Sequence, residues 1–156
     1  MTLNIKHTQC LIVEDDPFKM DSIRAHLKSF FSEKIEIEEC HALATASFAL
    51  TISTFDLAII DMSIHSHEPE AGAGSPFPLS SGGLDVLFEI ESSGSNTSCI
   101  ILTQYPDIPI EEVPIPVELA QQEILEKFGI KIAGCVRYVE DDNRWKAEVT
   151  SILEKL

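Results

Sequence analysis

Apolar residues fall along this chain in short continuous runs that alternate with longer stripes at helical spacing, the pattern of a βα-repeating parallel sheet. The first run, Cys10-Leu11-Ile12-Val13, ends on Glu14-Asp15-Asp16. Pro17 then suits the first turn of a helix with Met20, Ile23, Leu27 and Phe30 on one face. Ile35-Glu36-Ile37-Glu38 alternates apolar with charged, as an edge strand with one wet face does. Leu43, Ala46, Ala49 and Leu50 mark a second helix. Leu57-Ala58-Ile59-Ile60 and Cys99-Ile100-Ile101-Leu102 are unbroken apolar runs, expected of strands covered on both faces. A helix bearing Leu119, Ala120, Ile124 and Phe128 stops at Gly129, and a fifth strand runs roughly from Ala133 to Val139. Trp145, Val149, Ile152 and Leu156 form the stripe of a last helix.

Two connections are unusually long. Residues 62–83 include Pro69, Pro76, Pro78, Gly72, Gly74 and Ser80-Ser81-Gly82-Gly83, while residues 104–116 hold four prolines and no helical pattern. Both read as loops, and both follow strands at the end where open α/β sheets bind ligands. No repeat and no second domain is visible, so residues 1–156 are expected to form one domain.

Composition narrows the classes. With 44% apolar residues the chain is globular rather than disordered. No apolar run approaches the roughly 20 residues of a bilayer span. Met1 to Lys6 lack the apolar core of a secretory signal, so a cytoplasmic location is expected. A net charge of −15 argues against nucleic-acid binding. The four cysteines, Cys10, Cys40, Cys99 and Cys135, form no C-x-x-C pair and read as small buried core thiols.

The carboxylates carry the sharpest chemical signal. Asp15 and Asp16 leave the first strand and Asp61 leaves the third. If those strands are neighbours, three carboxylates converge in one crevice, and a hard divalent cation such as Mg²⁺ answers their repulsion. The plainer reading is that Asp15 and Asp16 cap the first helix while Asp61 ends a strand. Just beyond Asp61, His65 and His67 are either nitrogen ligands beside the carboxylates or solvated residues of a Gly/Pro loop.

Five short segments, in register over nearly the whole chain, resemble a response-regulator receiver domain. Glu14-Asp15-Asp16 resembles that family's acidic pair, and Ile59-Ile60-Asp61-Met62 its phosphoacceptor segment. Leu102-Thr103 resembles the hydroxyl residue ending the fourth strand, Tyr138 the switch aromatic, and Gly83-Leu84-Asp85-Val86-Leu87 the entry to the third helix. The resemblance implies a flavodoxin-like, doubly wound five-stranded parallel sheet with strand order 2-1-3-4-5. It also implies a stand-alone signalling module of two-component or phosphorelay type. A histidine kinase or phosphotransfer protein would phosphorylate Asp61, with Mg²⁺ on Asp15, Asp16 and Asp61. Thr103 and Tyr138 would switch the face shown to a downstream protein partner. The implied chemistry is phosphoryl acceptance and at most autodephosphorylation, not conventional enzyme turnover.

The departures point elsewhere. The family's lysine, about three residues after the switch aromatic, aligns here with Asp141, and no lysine occurs between Lys131 and Lys146. Strand alternation turns Arg137 away from the face of Tyr138. A carboxylate in place of that cation removes stabilisation where phosphoryl charge accumulates. The alternative function is therefore a degenerate receiver that binds a protein partner without phosphorylation. A flavodoxin-like redox protein or a phosphohydrolase fits less well. Glu14-Asp15-Asp16-Pro17 repels a flavin phosphate and lacks one N–H, and Ser63 stands where a hydrolase's second aspartate belongs.

Overall fold

Five parallel strands make up the central sheet in the computed structural model, which describes residues 7–156; Met1 to Lys6, on which the signal-peptide reading rests, lie outside the described residues. The elements run β1 (Thr8–Val13), α1 (Pro17–Phe30), β2 (Ile35–Cys40), α2 (Leu43–Ile52), β3 (Leu57–Ile60), β4 (Ile64–His65) and β5 (Pro78–Leu79). They continue with α3 (Gly82–Ser92), β6 (Ser98–Thr103), β7 (Asp107–Ile110), β8 (Val113–Pro116), α4 (Val117–Phe128), β9 (Gly134–Arg137) and α5 (Arg144–Glu154). The sheet order β2-β1-β3-β6-β9 is the expected 2-1-3-4-5 order of a doubly wound fold. The chain turns to opposite sides of β1, and that reversal opens a crevice at the C-terminal ends of β1 and β3.

Strand alternation divides the core. Leu11, Val13, Ala58, Ile60 and Ile101 face the helices α2, α3 and α4, where Ala46, Leu87 and Ile124 are buried. Cys10, Ile12, Ile59, Ile100 and Leu102 face α1 and α5, meeting Met20, Ile23, Leu27, Trp145 and Val149. The four cysteines are free, and three of them are buried. Among the described residues no helix is long and apolar enough to cross a membrane.

The two long connections are not structureless. Within residues 62–83, β4 and β5 pair antiparallel through Ile64↔Leu79 and His65↔Pro78. Within residues 104–116, β7 and β8 form a hairpin closed by Glu111 and Glu112, both at positive φ (51° and 67°). Two consecutive positive-φ residues match the turn of a tight hairpin, normally written Asn-Gly or Asp-Gly. Glu-Glu gives no such signal, and the prolines mask the strand pattern.

The glycine pair at the start of α3 is a packing requirement. A side chain at Gly83 would collide with the Asp61 carbonyl oxygen and the Met62 Cα, and the Gly83 N–H donates to the Met62 carbonyl at 2.9 Å. Helix α3 therefore begins directly against the loop that carries Asp61.

Candidate functional site: an acidic crevice around a buried lysine

The crevice starts with how α1 begins. Asp16 is its N-cap, with Oδ1 accepting the Phe18 N–H at 2.9 Å and the Lys19 N–H at 3.5 Å, and Pro17 fills the first helical position. This fixed start puts the third residue, Lys19, on the buried stripe of the helix, four and eight residues before Ile23 and Leu27. Its ammonium is fully buried. It meets Glu14 Oε1 at 2.5 Å and Asp61 Oδ2 at 3.3 Å, and donates to the Leu102 carbonyl at 2.7 Å. The Tyr138 ring lies alongside, its centroid 5.6 Å from Nζ.

The carboxylates around it come from two strands. Oxygens of Glu14, Asp15 and Asp61 all lie within 4.8 Å of one another. Glu14 Oε2 accepts the Asp16 N–H at 3.0 Å, and Asp61 Oδ1 accepts the Met62 N–H at 2.8 Å. Glu14 Oε1 is wholly buried and receives the ammonium as an ion pair, without a well-directed hydrogen bond. Burial pushes the Glu14 carboxyl well above the usual range; the Lys19 charge opposes this and the Asp61 charge adds to it. Asp61 is also raised by burial, against the pull of Lys19 and the Met62 N–H. Asp15 is more open and pairs with His65 Nδ1 at 2.9 Å, so β4 brings one of the two candidate histidines to the rim. His67 instead turns to Ser66 and the Gly74 carbonyl.

Of the ligand set read from the sequence, Asp15 and Asp61 are brought together and Asp16 is not, because its side chain is spent capping α1. Glu14 takes the third place. Thr103 is fully buried at the end of β6 and faces the same side as Ile101. Its Oγ1 accepts the Tyr105 N–H at 3.3 Å, and it lines a cleft of about 350 Å³ with Met62, Ser63, Ser80 and Ile108. Tyr138 lies on the opposite side of the sheet, against Trp145 with ring centroids 5.1 Å apart and its hydroxyl 3.5 Å from Ser22 Oγ. Its N–H nonetheless donates to the Thr103 carbonyl at 2.7 Å, so backbone joins the two residues while their side chains stay apart. Asp141 is exposed at positive φ (64°) in the turn after β9.

Lys19 is the residue that sequence reasoning missed. The signal was present: a cation heading an apolar helical stripe, three residues after an acidic segment at a strand end, has a partner within reach of its stem.

No protein-family model matches the chain. A curated relative, the Detocs response regulatory protein DtcB of Vibrio alginolyticus, is 34% identical over 146 residues, covering 92% of this chain and 98% of the relative. A DNA-binding response regulator of the LuxR family from Staphylococcus aureus superposes with a TM-score of 0.61 at 15% identity, over 95% of this chain and 97% of that one. The signal receiver domain of a Luxo repressor protein from Vibrio parahaemolyticus gives 0.59 at 19%, over 96% and 92%. The receiver domain of a sensor histidine kinase from Pseudomonas aeruginosa, solved with a magnesium ion in its active-site cleft, gives 0.56 at 16%, over 96% of each chain.

Proposed function

The chain belongs to the response-regulator family, and on that premise we propose that it is a receiver module that accepts a phosphoryl group on Asp61 and signals through protein contact. The observation that carries this reading is the Asp61 carboxylate at the end of β3, 3.3 Å from a buried ammonium and grouped with Glu14 and Asp15. In the reaction, an Asp61 oxygen forms a bond to phosphorus as the bond to the donor's leaving group breaks, and the leaving group departs with the electron pair. The Met62 N–H holds Asp61 Oδ1 and Lys19 faces Oδ2, so the carboxylate is oriented before a donor arrives.

The residues present fit a divalent cation. Three carboxylates against one ammonium leave a negative surplus, the donors are hard oxygens, and Asp15 is partly open to solvent. Glu14, Asp15 and Asp61 would hold the ion, which would offset charge on the phosphoryl oxygens. The donor expected from the family is a histidine kinase or phosphotransfer protein, and the output partner is another protein. Exposed Tyr105 and Val113, beside and on the β7–β8 hairpin, favour a second reading in which the chain binds a partner without phosphorylation.

The deciding experiment is incubation with acetyl phosphate and Mg²⁺, followed by intact-mass measurement. Wild type should gain one phosphoryl group, Asp61→Asn none, and chelation of Mg²⁺ should suppress the gain. An unmodified wild-type protein that still binds its partner would replace the phosphoryl reading with the second one.

A further inference from the structure

We propose that Lys19 is the cation that contacts and neutralises the phosphoryl group on Asp61, supplied from α1 in place of the lysine that the receiver resemblance puts after the fifth sheet strand. This rests on phosphoryl acceptance at Asp61.

The β9–α5 connection has nothing to offer for the task. Its residues 139–143 are Val139, Glu140, Asp141, Asp142 and Asn143. The nearest cations are committed or turned away: Arg144 pairs with Asp142 at 2.6 Å, Lys146 sits over the Trp145 ring at 5.7 Å, and Arg137 is exposed. Lys19 lies inside the crevice. Its three contacts hold the ammonium between Glu14, Asp61 and the Leu102 carbonyl, and its stem lies along the buried stripe of α1. An ammonium 3.3 Å from Asp61 Oδ2 is within reach of an oxygen on a phosphorus bonded there. Burial strengthens the attraction, since little water screens it.

The exchange is simple to balance. With acetyl phosphate, the Asp61–phosphorus bond forms, the phosphorus–oxygen bond to the acetyl group breaks, and acetate leaves with the electron pair. One Lys19 N–H turns from the Asp61 carboxylate to a phosphoryl oxygen, and no proton is transferred in the step. The change of partner draws on no new residue.

The test compares wild type, Lys19→Met and Lys19→Met with Asp141→Lys, reading acyl-phosphate yield and lifetime from acetyl phosphate and, separately, Mg²⁺ affinity by calorimetry. A charge that opposes metal and holds phosphoryl predicts opposite changes. Lys19→Met should lose about a hundredfold in phosphorylation rate while binding Mg²⁺ several-fold more tightly, and the added lysine should recover part of the rate. Should Lys19→Met not fold, Lys19→Gln, which keeps hydrogen-bonding capacity without charge, makes the same comparison. Undiminished labelling of the neutral variant overturns the inference alone. Loss of labelling together with loss of Mg²⁺ binding reduces Lys19 to a packing role and also overturns it. Absence of label in wild type overturns the phosphoryl reading, and this inference with it.

Discussion

At the centre of the sheet's C-terminal edge, Lys19, Glu14 and Asp61 are buried and hold one another; on the β6–β9 flank, Glu111, Glu112, Glu140 and Asp141 face water. The two regions obey different rules. A buried charge must be compensated within a few ångströms, so the central residues are interlocked and each substitution is felt by the rest. An exposed charge is screened, and its surroundings can be rewritten at little cost. On the proposal that Lys19 serves the phosphoryl group, the difference has a simple reading: electrostatics counts distance to that group and takes no account of which element brings the cation.

The comparison can be broken first at the centre. Gly83→Ala forces a methyl group against backbone of the Asp61 loop, which cannot rotate aside. Overpacking of this kind costs about 2–3 kcal/mol, measurable as a lower midpoint in urea unfolding, and it should also slow phosphorylation by displacing Asp61. A neutral result in both measurements would show that the loop is more accommodating than its close contacts imply.

Between the regions, Asp16→Ala separates capping from ligation. Loss of the N-cap should cost about 1 kcal/mol and leave Mg²⁺ affinity little changed, whereas Asp15→Ala should weaken Mg²⁺ binding. Asp16→Ala that abolished metal binding without lowering the thermal midpoint would return Asp16 to the ligand set.

The smallest effect is expected on the flank. Replacing Glu111-Glu112 by Asn-Gly relieves two side chains held at positive φ and gives the hairpin its preferred turn. The exposed Lys127–Glu111 pair at 3.1 Å is lost in exchange. Relief of the positive-φ strain should outweigh the added unfolded-chain freedom of glycine by about 0.5 kcal/mol, read as a higher urea midpoint with phosphorylation unchanged. A loss of stability would mean that the surface pair matters more than its exposure implies.

The sheet was legible because its signals are periodic. Unbroken runs such as Leu57 to Ile60 need cover on both faces, and the wet alternation of Ile35 to Glu38 belongs at an edge, where β2 lies. Asp61 was legible as a strand-end carboxylate for the same reason. What escaped was set by side-chain reach and turn geometry. The choice between Asp15 with Asp16 and Glu14 with Asp15 depends on which carboxylate turns back to cap α1, and all three are identical in charge and adjacent in sequence. Asp141 stands out in the sequence as a missing cation and Lys19 does not, since a long side chain can serve a site from a neighbouring element. The β7–β8 ladder was hidden by prolines and by a turn lacking glycine.

The hydrogen bond from Lys19 to the Leu102 carbonyl spans 83 positions of the chain. A contact that distant closes a large loop and forms only after β6 has docked beside β3. Until then α1 carries its ammonium in water, and the carboxylates of Glu14 and Asp61 are hydrated. Full desolvation of the Lys19 ammonium therefore requires β6, the strand that supplies the Leu102 carbonyl, as well as α1, β1 and β3.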